Sequence, residues 1–204
     1  MRLAVSCVVL SLLIPKPVAA LPAQSADAMI AAARRLLGTP YEFGGRMRAP
    51  DEGTDCQGVL FAAAEAVQPC GWRSFSTKPT RSVADGELGA AVPGLSPVRG
   101  EDLDPVRLEP GDIILFVGYD ENPKEPSLAN LTGRAVWVWH TGMYTGGGRF
   151  IVGDHIAGEV VETDLGAYLR DNRDAYPGLF VTRMTDGPRP RRCREHPALG
   201  AGVR

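Results

Sequence analysis

Residues 55–67, DCQGVLFAAAEAV, place a cysteine at the opening of an amphipathic helix. Val59, Leu60, Ala63, Ala64 and Val67 recur at helical spacing and form its buried stripe. Asp55 or Thr54 can cap it, because either side-chain oxygen can accept a free N–H of the first turn. A cysteine at this point carries chemical meaning. Unpaired backbone N–H groups and the positive end of the helix dipole favour a thiolate there, and the thiolate is the nucleophilic form.

On the N-terminal side, Ser25 can cap an earlier helix whose residues Met29, Ile30, Ala33, Leu36 and Leu37 share one face, with Gly38 ending it. Residues 39–45 (TPYEFGG) are turn-rich, and residues 46–53 read as a polar loop. On the C-terminal side, residues 71–108 are rich in Pro, Gly and Ser, with at most a short helix near residues 80–88. Then the period changes. Residues 112–117 (DIILFV), 135–144 (AVWVWHTGMY), 150–152, 159–162 and 179–184 read as strands, with 145–149 (TGGGR) as a hairpin turn and 120–134 as a polar excursion. Helices followed by a meander of strands imply an α+β domain: a central antiparallel sheet with the helices packed on one side.

A cysteine nucleophile needs a base within hydrogen-bond reach. The chain has three histidines, and His196 lies in a basic tail, which leaves His140 or His155. His140 ends an apolar strand, and Gly142 just beyond it leaves room for a substrate backbone or a helix end. His140 is therefore the candidate base for Cys56.

The first 20 residues carry a basic start, a short apolar run and small residues at Val18-Ala19-Ala20, the pattern of a secretory signal. The run is too short to span a bilayer, and no second span follows, so an exported, periplasmic or secreted protein that does not cross the membrane is expected. Without those residues the chain keeps 20 basic and 24 acidic residues, a net charge near −4, which argues against a nucleic-acid partner. Three cysteines remain, Cys56, Cys70 and Cys193, an odd number that suggests one pair and one reactive thiol. Cys70 with Cys193 is the expected disulfide. No CxxC or zinc-ligand spacing occurs, so neither a metal nor another cofactor is expected. The organisation reads as a signal over 1–20, one domain over 21–185 and a basic tail over 186–204, and a monomer is expected.

Five elements appear in order: Leu37-Gly38-Thr39-Pro40-Tyr41, Gly44-Gly45, Asp55-Cys56-x-Gly58, Pro110-Gly111-Asp112 and His140-x-Gly142-Met143-Tyr144. In order and spacing they resemble the NlpC family of papain-like cell-wall cysteine peptidases, over about residues 26–165. The resemblance implies a papain-like fold with the nucleophile at a helix N-terminus. It implies hydrolysis of peptidoglycan stem peptides at the γ-D-glutamyl to diamino-acid bond through a thioester on Cys56, with His140 as base. The same scaffold would also serve an acyltransferase or amidase, and a non-catalytic wall-binding module is the alternative from another class. Tyr41 corresponds to the family tyrosine near the nucleophile, either helping to bind the oxyanion with the Cys56 N–H or packing under the helix. Gln57 stands where a serine is common.

The family's third residue, which orients the imidazole, lies twelve positions after the base. Here that position is Val152, which cannot orient anything. If the hairpin pairs Tyr144 with Phe150, Asp154 falls opposite His140 and can take the role. His155 is the competing choice, reachable if Gly153 forms a bulge.

Overall fold

The computed structural model of the chain describes residues 23–46, 52–67 and 75–184. The expected signal (1–20), the basic tail (186–204) and the Cys70–Cys193 pair lie outside the described residues. Helix α1 (Ala23–Arg34) begins before Ser25, which therefore sits in its first turn instead of capping it. Gly38, at φ +78°, ends that segment and donates its N–H to Val160 O. Helix α2 (Cys56–Glu65) starts at the cysteine, and Asp55 is its cap, accepting the Gly58 N–H at 2.9 Å. A short α3 follows (Pro79–Ala84), close to the segment expected near residues 80–88.

The strands are β1 (Ala90–Ala91), β2 (Val98–Arg99), β3 (Ile113–Gly118), β4 (Ala129–Leu131), β5 (Arg134–Gly146), β6 (Arg149–Asp154), β7 (Glu159–Asp164) and β8 (Gly178–Arg183). Helix α4 (Leu165–Asp171) lies between β7 and β8. The sheet runs β1-β8-β3-β5-β6-β7, with β2 on β8 and β4 on β5, and these pairings are antiparallel. It is an α+β fold around a central antiparallel sheet, but not a simple meander. The last strand returns to the middle, beside β3. Its apolar side chains on both faces, Leu179 and Val181 on one and Phe180 on the other, explain why it is not left at an edge.

The helices do not all lie on one side. Ile113, Leu115 and Val117 of β3 pack into a core with α1 and α2, while Ile114 and Phe116 pack with α4 and residues 92–108. A continuous apolar run such as IILFV requires this, because alternate side chains leave opposite faces and each needs cover. The Pro110-Gly111-Asp112 element has a structural use. The buried Asp112 receives Arg183 Nε at 2.7 Å and Nη2 at 2.8 Å, and also accepts the Glu109 N–H. This two-point guanidinium grip ties β8 to the start of β3.

Candidate active site

Cys56, the candidate nucleophile, is positioned by its backbone. A Cβ built at Gly153 of β6 would lie 2.9 Å from Asp55 C and 3.0 Å from Cys56 N, so the start of α2 rests directly on that glycine. Gly142, by contrast, admits neither substrate nor helix. The space beside it holds the Phe150 ring, 2.7 Å from a built Cβ, and the Ile151 carbonyl. The glycine that makes room for a helix end is on the neighbouring strand.

Strands β5 and β6 pair Tyr144 with Phe150 and Met143 with Ile151, the register assumed from the sequence. The β5–β6 pairs end at Met143 and Ile151, and beyond them the Asp154 charge still acts on His140. Thr141 lies against the Cys56 thiol from the β5 side, and its hydroxyl and N–H favour the thiolate, although that hydroxyl completes no hydrogen bond of ordinary geometry. His140 faces the other side of the sheet from Thr141, toward Tyr168 and Tyr176, on whose phenols the Cys56 charge also acts. Phe116 opposes His140 but Val117 opposes Val138, so Trp139 is an extra residue, a β-bulge. Strict alternation from Val138 would have turned His140 toward α2. The bulge turns it onto the face of Phe116, whose ring centre is 5.6 Å away.

There the imidazole is enclosed. His140 is 4% exposed and stacks on Tyr176 and Tyr168, with ring centres at 5.8 and 6.1 Å. Its Nε2 is buried without a hydrogen-bond partner, as is the Tyr168 hydroxyl. Burial pushes the His140 pKa down to about 4, against the pull of the Asp154 charge, so the ring is neutral over the ordinary pH range. Asp154 is buried too, with Oδ1 accepting the N–H groups of Ile156 at 2.8 Å and Ala157 at 3.3 Å. The bulge that would turn His155 inward is absent, since Gly153 pairs regularly with Val160 and Asp154 with Glu159. His155 is exposed, its ring 6.2 Å from that of Tyr41. Tyr41 is half-buried, and its burial and the nearby Cys56 and Asp55 hold its phenol up to about 12, a neutral hydrogen-bond donor.

No family model matches the chain. It is 28% identical over 137 residues to the γ-DL-glutamyl hydrolase of Bacillus subtilis strain 168, covering 66% of this chain and 24% of that protein. The chain thus spans about a quarter of that relative's length. An N-acetylmuramoyl-L-alanine amidase from Bacteroides uniformis superposes with a TM-score of 0.55 at 14% identity, over 79% of this chain and 99% of that one. NlpC1 from Trichomonas vaginalis overlaps with a TM-score of 0.48 at 24% identity, over 78% of this chain and 44% of that one. The chain shares its fold with the amidase structure.

Three residues near the site escape the sequence reading. Tyr168 lies on α4, whose Asp164 cap and Leu165, Tyr168 and Leu169 spacing were a legible helix signal. Tyr176 lies in an irregular stretch with no such signal. Arg46 reads as a loop residue but is buried against Asp55.

One expectation changes sign. The helix N-terminus was expected to make Cys56 a ready thiolate, yet burial and the Asp55 carboxylate push the thiol up despite Thr141 and Arg46. Both groups are thus shifted toward their neutral forms, the thiol upward and the imidazole downward. Cys56 keeps partial exposure, so a small reagent can reach it. Its alkylation by iodoacetamide should climb with pH and reach its midpoint above the free-thiol value of about 8.5, with no plateau at acid pH. A flat rate extending well below neutrality would show that the thiolate is preformed.

Proposed function

We propose that this chain is a cysteine peptidase that hydrolyses peptidoglycan stem peptides, at the γ-D-glutamyl to diamino-acid bond, outside the cytoplasm. Residues 1–20 would serve as its export signal, 21–185 as the catalytic domain and 186–204 as a basic tail. The observation that carries the reading is the seating of Cys56 on Gly153 at the start of α2, beside the strand that bears the neutral His140. The γ-DL-glutamyl hydrolase and amidase names of the relatives supply the substrate class.

In the proposed reaction, Cys56 Sγ attacks the scissile carbonyl carbon as the thiol proton passes to His140. The carbonyl oxygen becomes an oxyanion beside the Cys56 N–H, which as the first helical residue has no intrahelical acceptor, and within reach of the Tyr41 phenol. The imidazolium then protonates the departing amine, leaving an acyl thioester. His140 next takes a proton from water, which attacks the thioester, and the thiol is released with the new carboxylate. A neutral starting pair suits this sequence, because the base is unprotonated when substrate arrives.

Asp154 is the proposed orienting residue. Its support is the burial of both side chains and the favourable action of its charge on the His140 imidazolium. Its Oδ2 is the oxygen left for the imidazole, since Oδ1 caps the following turn. His155 has less support, being exposed and acting to lower the His140 pKa.

The test is digestion of purified muropeptides, with and without an added amine, and product assignment by mass spectrometry. New stem-peptide termini formed by water support the reading. Amine incorporation in place of hydrolysis would make the protein an acyltransferase, release of whole stem peptides would make it an amidase, and tight binding without products would make it a wall-binding module.

A further inference from the structure

We infer that Arg46 is a positioning residue for the nucleophile, gripping the residues on both sides of Cys56 and offsetting the Asp55 charge beside the sulfur. This rests on the reading of Cys56 as nucleophile. The side chains of Arg46 and Asp55 are each 8% exposed, and Nη1 lies 2.5 Å from Asp55 Oδ2. Nη2 donates to Gln57 Oε1 at 2.9 Å, and Nη1 also donates to the Gly45 carbonyl at 2.7 Å. The guanidinium carbon stands 5.5 Å from the centre of the Phe61 ring, one turn along α2. Asp55 in turn accepts the N–H groups of Gly44 at 3.1 Å and Gly58 at 2.9 Å.

Arg46 therefore joins the Gly44-Gly45 turn to the first turn of the nucleophile helix. It also accounts for Gln57, which departs from the usual serine. The glutamine carbonyl accepts one arm of a guanidinium whose other arm holds the cap. Planar, multi-donor geometry of this kind is specific to arginine, and lysine can reproduce the charge but not the grip.

The electrostatic consequence follows from placement. Asp55 is needed as the helix cap, yet its carboxylate opposes ionisation of the adjacent thiol, while Arg46 favours it. Other groups near this space are Tyr41, Tyr168 and Tyr176, which are neutral phenols, His140, on which Asp154 and His155 act, and Glu52, whose carboxylate accepts the Arg46 backbone N–H at 3.3 Å. Among these, Arg46 is the cation that pulls the Cys56 thiol down, so removing it leaves the Asp55 charge uncompensated beside the sulfur.

The experiment is the rate of Cys56 alkylation by iodoacetamide against pH, read by peptide mapping, with hydrolysis of muropeptides followed in parallel. Arg46→Gln should move the midpoint upward by about one unit, so that alkylation at fixed pH slows about tenfold. Arg46→Lys should keep the midpoint near that of the unaltered protein while hydrolysis falls. Arg46→Gln combined with Asp55→Asn should bring the midpoint back, and Asp55→Asn alone, which keeps a capping oxygen, should lower it. An unchanged or lowered midpoint in Arg46→Gln overturns the inference, as does a double variant that shows no recovery. Should Arg46→Gln not fold, an unmoved midpoint in Asp55→Asn is equally decisive. Alkylation needs no substrate, so a wrong choice of nucleophile appears separately, as hydrolysis that survives complete alkylation.

Discussion

Cys56→Ala is expected to lower kcat/KM on stem peptides by about three orders of magnitude or more, leaving at most the background that binding and oxyanion stabilisation give alone. The thioester route has no substitute within the site. His140 is buried and turned toward the aromatic face, so it can accept a proton but is not placed to attack a carbonyl itself. The fold should tolerate the change. Cys56 is the first helical residue, the cap hydrogen bond is made by Asp55, and alanine is the better helix former. Thermal unfolding of the variant should stay within a few degrees of the parent, which separates lost chemistry from lost structure. Cys56→Ser keeps size and polarity and should be nearly as inactive. Hydrolysis within tenfold of the parent in either variant would exclude Cys56 as the nucleophile.

Gly153→Ala is the second large effect, and it comes from a residue with no side chain to contribute. The added methyl carbon would sit 2.9 Å from Asp55 C, 3.0 Å from Cys56 N and 3.1 Å from Asp55 O. All three are backbone atoms, so no rotamer change relieves the clash, and either α2 or β6 must move. β6 is held by β5 up to Ile151 and by β7 in regular register through Asp154. The helix start should therefore yield. A displacement on the order of 1 Å at a reacting atom costs about two orders of magnitude in rate. Overpacking of this size also costs about 1–3 kcal/mol of stability. Steady-state kinetics beside a denaturation curve will check both. Activity within about twofold of the parent would mean that the helix is not seated on this strand as described.

The sequence made the candidate residues legible and the geometry around them only in part. A cysteine beginning an apolar helical stripe is visible because the periodicity and the cap are local. The Tyr144–Phe150 pairing was visible for the same reason, since a glycine-rich turn sets a hairpin register. The orientation of His140 was not. It depends on one extra residue at Trp139, and alternation read along Ala135 to Tyr144 carries no mark of a bulge. The position of β8 beside β3 and the covered second face were implied by the doubly apolar run at 113–117, a signal that was present but read as one-sided. The burial of Arg46 had no local signal at all. Its partners, Asp55, Gln57 and Phe61, are reached only once the Gly44-Gly45 turn folds back on α2.

The thiol behaviour shows why a rule needs its surroundings. A helix N-terminus does favour an anion, yet at Cys56 burial and an adjacent carboxylate act the other way and prevail. Both effects favour the neutral thiol from which the proposed proton transfer begins. His140 held down to about 4 is the complementary half of that arrangement.

The most direct measurement pairs chemistry with modification in a single sample. The protein is alkylated for increasing times, peptide mapping gives the fraction of Cys56 modified, and the same aliquots are assayed for stem-peptide hydrolysis. Activity should fall in proportion to Cys56 modification and reach background when modification is complete. Hydrolysis that persists with Cys56 fully alkylated would contradict it.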